Sequence, residues 1–352
     1  MGLNVSIRSG ATAAADLSNG DQVEVYERVG EPTTYRLRYP LAIKDGDFPL
    51  LVDGRIGPGG SLTVVVPVGT SSEVLVKGEV YAQRVHFKHG VADSWVEVIG
   101  ADATLAMDRD VKQVVWPAQA ISDTVSNVLS SYGHTADVDS IATTTSEETH
   151  VLVQADTDLR FLRRLAKRYG HWFWVTTSVD DVTTAHFKRP ALGGTPAVKL
   201  QINNTTPNVA ALDLEWDVER PNATIADQLG LRDKGAIDGH VDRSPLSPLG
   251  STALADLAAH RSVQIVAPVD TAADLHARSE AALIEAGWFV KLRGETSVRA
   301  LGSLLRTHAL VTVAGLGTRH SGTYVVWSVR HLIDRTAHKM EFELVRNAWG
   351  IS

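Results

Sequence analysis

The sequence predicts a mainly β protein with an α+β segment, in which two β-barrel domains flank an inserted α/β domain. Three observations carry this. Both ends of the 352-residue chain read as short alternating strands punctuated by Gly and Pro, the pattern of barrels and sandwiches. The middle switches to helical periodicity. One hairpin-like stretch occurs twice, 244 residues apart: Gly322–Leu344 lies over Gly78–Gly100, with Gly78 under Gly322, Val85 under Val329, Glu97 under Glu341 and Val98 under Phe342. Each copy reads as a strand, a polar turn and a returning strand. Each also follows a β-rich run ending in Gly-Thr, at residues 64–70 and 311–318. The expected division is a first barrel over 1–105, an α/β domain over 106–195 and a second barrel over 196–352.

In the first region, Val23–Tyr26 and Tyr35–Tyr39 alternate apolar and polar residues, and Leu62–Val68 is a buried-type run. The Gly57-Pro-Gly-Gly60 turn lacks a following Gly-Lys-Ser/Thr and precedes a strand, so it reads as a loop and not a phosphate cradle. In the second region, residues 116–133 read as a helix. Pro117 opens it, Ile121, Val125, Val128, Leu129 and Tyr132 share a face, and Gly133 ends it. A polar loop containing Glu147 and Glu148 leads to a strand at His150–Val153. A second helix follows over residues 154–170, capped by Asp156 or Thr157. Asp158 sits in its first turn, Leu159, Leu162, Leu165, Ala166 and Tyr169 form its buried stripe, and Gly170 terminates it. Its five basic residues read as a solvated face. In the third region, strands are expected at Val198–Ile202, Ala210–Val218, Trp288–Leu292, Glu295–Ala300 and Ala309–Val313. An exposed loop is expected near 235–250 and a helix over Asp270–Gly287.

Composition narrows the function classes. With 44% hydrophobic and 21% charged residues, the balance is that of an ordinary soluble domain protein. No apolar run approaches the roughly 20 residues of a membrane helix. The N-terminus shows no charged region followed by an apolar core, so no secretion signal is expected. Gly2 followed by Ser6 touches the myristoylation pattern, but the segment reads better as a first strand. There is no cysteine, which excludes disulfides, thiolate metal sites and cysteine nucleophiles. The net charge of −7 opposes dedicated nucleic-acid binding.

The run Gln154-Ala-Asp-Thr-Asp-Leu-Arg-Phe-Leu-Arg-Arg-Leu-Ala-Lys-Arg-Tyr-Gly170, followed by aromatic residues, resembles the phage late control protein D group. These are central baseplate hubs of contractile tails, and their module also forms the N-terminal part of VgrG spikes. The stretch Gly315–His331 is similar to that family's closing hairpin, and Leu129-Ser-Ser-Tyr-Gly133 to the element after its first barrel. The resemblance implies tail-tube-like β-barrel domains and a homotrimer whose paired barrels imitate a hexamer. It implies a structural role in the baseplate of a virion or phage-like injection particle assembled in the bacterial cytoplasm. The hub would join a sixfold tail tube protein to a threefold spike and contact other baseplate proteins. It would bind no specific nucleic acid, and would meet a membrane only transiently, through the particle. The sequence stops at Ser352 without the further domains of VgrG, so a separate spike protein is expected.

Candidate chemistry is sparse. His86 and His89 fall on opposite faces of a strand, wrong for a shared metal. His308, His320, His331 and His338 are near one another in sequence, without a ligand motif. There is no Gly-x-Ser-x-Gly or His-Glu-x-x-His pattern, and Glu147 and Glu148 read as solvated. No enzyme is expected, and no catalytic, cofactor-binding or metal residue is assigned. The competing readings are a tail-associated cell-wall hydrolase and a carbohydrate- or receptor-binding β-protein. Trp172 and Trp174, on one side of their strand, would serve the latter.

Overall fold

The computed structural model describes residues 5–145, 151–230, 234–269 and 271–351. Met1, Gly2, Glu147, Glu148, His150, Asp270 and Ser352 lie outside the described residues. The chain is mainly β, with two β-barrel units flanking an inserted α/β domain. The first unit comprises β1 (Ser6–Ser9), β2 (Gln22–Arg28), β3 (Thr34–Pro40), β4 (Ser61–Val68), β5 (Ser71–His86) and β6 (Trp95–Asp102). The insert contains β7 (Val111–Trp116), α1 (Ile121–Ser130), β8 (Thr135–Val138), β9 (Leu152–Thr157), α2 (Asp158–Tyr169), β10 (Trp172–Thr177) and β11 (Thr183–Lys188). The second unit comprises β12 (Val198–Gln201), β13 (Leu212–Trp216), β14 (Val290–Ser297), β15 (Leu310–Ala314), β16 (Gly322–Asp334) and β17 (His338–Arg346). The helix α3 (Ala272–Ala286) lies between β13 and β14.

The two units share one strand order. The first is hydrogen-bonded as β2-β3-β6-β5-β4-β1 and the second as β13-β14-β17-β16-β15-β12. One strand breaks the likeness: β1 runs antiparallel to β4, whereas β12 runs parallel to β15. The units also join. The first half of β16 pairs β15, and its second half pairs β2, so a single 13-stranded sheet crosses the molecule. One apolar core follows it, with Val25, Leu37 and Val98 from one side and Leu292, Val326 and Phe342 from the other.

Local chemistry explains the strands. In β3, Tyr35, Leu37 and Tyr39 face inward and are buried, while Arg36 and Arg38 face outward. The Tyr35 ring lies over Gly100, where a Cβ would sit 2.1 Å from it, and the Tyr35 hydroxyl donates to the Gly78 carbonyl at 3.1 Å. Only glycine leaves space there.

Both repeated hairpins carry a bulge, at Tyr81 in β5 and at Trp327 in β16. Matching the bulges makes Val80 the counterpart of Val326, and Val85 that of His331. The returning strands keep Glu97 under Glu341 and Val98 under Phe342. The alignment read from sequence was therefore two residues out along the first strand. A slip of two leaves every side chain on its own face, which is why it escapes detection in the pattern. The matched pairs Arg84–Glu97 (3.7 Å) and Arg330–Glu341 (3.5 Å) support the corrected equivalence.

Four other expectations need adjusting. Residues 116–120 are not helical, because Val111–Trp116 alternates and pairs with β9, leaving α1 to start at Ile121. The expected strand at His150–Val153 runs instead over Leu152–Thr157. The strands expected at Trp288–Leu292 and Glu295–Ala300 are one strand, β14, which ends where Ser297 caps a helical turn over Val298–Leu301. The loop near 235–250 is tied down at its end, since Leu249 is buried and its N–H donates to Asn347 at 2.8 Å. By contrast, α2 forms as expected. The Thr157 hydroxyl accepts from the Arg160 N–H, and Gly170 closes the helix in the left-handed conformation at φ 67°.

Candidate functional site

The motif residues of the second region meet in one buried knot. Asp158 does not project toward solvent at the start of α2. Its carboxylate pairs with Lys112 from β7. It also accepts from the Tyr132 hydroxyl at 2.6 Å and from Gln154 Nε2 at 2.7 Å. Burial pushes its pKa up, but the hydrogen bonds from Lys112, Tyr132 and Gln154 outweigh that and hold it below the usual carboxylate value. The Gln-x-x-x-Asp spacing and the Tyr-Gly after α1 are thus one structural device, with no free proton acceptor for catalysis.

The seam between the two units is the second polar centre. Along it, Val329 lies opposite Glu27, Arg330 opposite Tyr26, His331 opposite Val25 and Ile333 opposite Val23. Arg330 forks onto both Glu24 oxygens at 3.0 Å each. Glu27 occupies the inward parity of Val23 and Val25 and is only 3% exposed. Its carboxylate is 2.7 Å from Arg306 Nε and accepts from the Thr307 N–H and hydroxyl at 3.2 Å. Arg306 also donates to the Val74 and Leu75 carbonyls of β5, at 2.8 and 3.1 Å. The second unit therefore grips the first through an ion pair whose carboxylate is buried and whose guanidinium is partly exposed.

Of the four C-terminal histidines, only His331 and His338 meet, Nδ1 to Nε2 at 3.0 Å, with His331 Nε2 3.7 Å from Glu27. Burial holds His331 well below the ordinary histidine value of 6.5, with His338 and Arg306 adding to the effect. Burial takes His338 to about 4. The folded state thus binds fewer protons than the unfolded chain once pH drops below 6.5. Stability from this pair is complete above that value and is lost progressively below it. His338 alone should account for roughly 2–3 kcal/mol by about pH 4. Thermal melts across that range, compared with those of His338→Gln, measure this: the variant should show the shallower fall.

Trp172 and Trp174 do share a side of β10, but that side is covered. Trp172 packs against Trp288 at 5.9 Å and Trp327 at 6.1 Å. Trp174 is sandwiched between His308 at 4.0 Å and His186 at 4.7 Å. Burial, with His186 and Arg306 nearby, lowers His308 to about 3. These rings dock the α/β insert on the second unit. His86 stacks on Trp95 at 5.6 Å, His89 is an exposed turn residue, and His320 lies edge-on to Trp349. Among the described residues no cluster of three or more His, Asp or Glu side chains is arranged to hold a metal. Gly60 closes a tight turn on the Arg55 carbonyl. Of the basic residues on α2, Arg160 and Arg164 pair with Asp108 and Asp156.

Sequence reasoning missed Glu27, Arg306 and Arg346. A charged residue on the inward parity of β2 was the available signal for Glu27. Arg346 is fully buried and has no carboxylate partner among the described residues. It donates to the Leu249 carbonyl from Nε (2.9 Å) and Nη2 (2.5 Å), to that of Ser321 at 3.2 Å, and to that of Gly350.

Among the described residues, two of the open strand edges expose large apolar side chains. The outer edge of β13 has no strand beside it among the described residues, nor has the far half of β5 on the side away from β6. Tyr81, Val85, Phe87 and Trp216 are exposed along them.

The fold matches solved tail proteins. A tail protein from Neisseria meningitidis aligns over 100% of both chains at 15% identity with a TM-score of 0.68. The 43 kDa tail protein of prophage MuSo2 from Shewanella oneidensis aligns over 98% of both chains at 16% identity and 0.66. An E. coli component of the type VI secretion system, described as structurally similar to the bacteriophage T4 tail proteins gp27 and gp5, aligns at 13% identity and 0.58. It covers 93% of this chain and 73% of its own. No curated protein matches the sequence. The family model described as the Alg8 N-terminal domain matches residues 41–335, most of the length, and the chain belongs to that family.

Proposed function

We propose that this protein is the central hub of a contractile-tail baseplate in a phage or phage-like injection particle. It joins a sixfold tail tube to a threefold spike as a homotrimer. The observation that carries this is the repeated strand order. One chain holds two barrels of the same plan, so three chains place six comparable units around an axis. The tail proteins and the type VI component of like fold support a tail role. Asp158, Glu27 and Arg306 are each held in ion pairs and hydrogen bonds, which favours a mechanical part over a catalytic one. The hub travels with the tube when the sheath contracts, and its interfaces carry the load. It resides in the baseplate and meets other baseplate proteins there. Light scattering coupled to size exclusion, with and without the tube protein, is expected to give a mass near three chains. A single-chain mass at every concentration in both samples would refute the hub.

A further inference from the structure

The internal seam supplies a template for the two open edges. By the corrected equivalence, the far half of β5 is the counterpart of the half of β16 that pairs with β2. Register through β3 and β14 likewise makes Leu212, Asp213, Leu214, Glu215 and Trp216 of β13 the counterparts of Val23, Glu24, Val25, Tyr26 and Glu27. The counterparts are buried at the seam: Val329 and His331 are 0% exposed, and Ile333 is 1%. Their equivalents at the open edge are not. Gln83 is exposed, Val85 is 38% exposed and Phe87 59%, and on the facing side Trp216 is 48% exposed. Gln83, Val85 and Phe87 on one edge and Trp216 on the other are exposed where the internal copy has a partner, while Leu212 and Leu214 stay partly buried against the core.

We propose that the far half of β5 in one copy of this chain pairs antiparallel with β13 of the next copy. This pairing rests on the three-copy reading above and names its interface. Carrying the seam register across sets Gln83 opposite Trp216, Arg84 opposite Glu215, Val85 opposite Leu214, His86 opposite Asp213 and Phe87 opposite Leu212. Charge complements charge along it. The β5 edge carries Arg84, His86 and Lys88, and the β13 edge carries Asp213, Glu215 and Asp217. Arg84 takes the place of Arg330, whose fork onto Glu24 maps to Asp213 of the neighbouring copy. Such a contact is heterologous, edge to different edge, and closes as a ring instead of a twofold dimer. It also removes two open strand edges that would otherwise invite aggregation.

The absence of cysteine makes the test site-specific. A Val85→Cys, Leu214→Cys double variant, oxidised mildly, is expected to give covalent dimers and trimers on a denaturing gel. Val85→Cys with Val266→Cys, an exposed residue off both edges, is expected to give none. Arg84→Glu and Glu215→Arg alter exposed side chains, so each variant should fold normally. Each is expected to weaken association at least about tenfold, and the double variant to restore it. A three-chain mass with no cross-link and no charge-swap rescue would overturn this seam and leave the hub reading standing. A single-chain mass throughout would overturn both.

Discussion

Arg346→Met is expected to destabilise the protein by about 3 kcal/mol, because it strands the buried Leu249 carbonyl and two part-buried ones that have no other donor among the described residues. The guanidinium serves the Leu249, Ser321 and Gly350 carbonyls at once and lies 5.3 Å over the Tyr324 ring. Nothing else reaches that space: a Cβ on Gly322 or Gly250 would fall 2.6 Å from Arg346 Nη2. Methionine fills the stem volume but donates nothing. Lysine keeps the charge but not the fork, so Arg346→Lys should recover only part of the loss. The measurement is a urea titration of both variants, with proteolysis at residues 244–250 as the local reporter. Wild-type resistance of that loop in Arg346→Met would contradict the assignment.

Glu27→Ala is expected to cost about 3 kcal/mol, by opening a hole beside the partly exposed Arg306 guanidinium, which keeps only Glu73 at 3.9 Å as a carboxylate neighbour among the described residues. Arg306 would lose its contact at 2.7 Å, and the Thr307 N–H its acceptor. The damage should concentrate at the seam, because Arg306 also holds β5 through the Val74 and Leu75 carbonyls. Hydrogen exchange is the discriminating readout. Amides of β2 and the far half of β16 should lose protection first, while those of β3 and β6 hold. Uniform loss across both units would show that Glu27 serves global stability and not the joint. Glu27→Gln keeps the shape and one acceptor, and should fall between the two.

Legibility followed sequence distance. The ends of α2 were readable because a cap is settled within four residues, by Thr157 at one end and Gly170 at the other. The hairpin duplication was readable because both copies keep an in-out alternation, although that same alternation concealed the two-residue slip. The seam was not readable, since Arg330 meets Glu24 across 306 residues and no local pattern encodes that meeting. The knot at Asp158 was half readable: its helix-start position was evident, but the Lys112 that neutralises it and the Tyr132 that donates to it come from separate elements. The pair of tryptophans on β10 showed the right parity with the wrong consequence. Alternation states which residues share a side, and only tertiary packing decides whether that side meets solvent or Trp288 and His308.

The reversed polarity of one outer strand has a consequence for symmetry. β1 runs antiparallel to β4 and has its outer edge paired by Thr12–Ala13 of its own chain, whereas β12 at the matching place on the other unit runs parallel to β15. A docking partner that reads main-chain direction on that rim would find it alternating from unit to unit. However alike the two barrels grow in sequence, this face therefore repeats once per polypeptide and not once per barrel, and any partner bound there inherits the lower count.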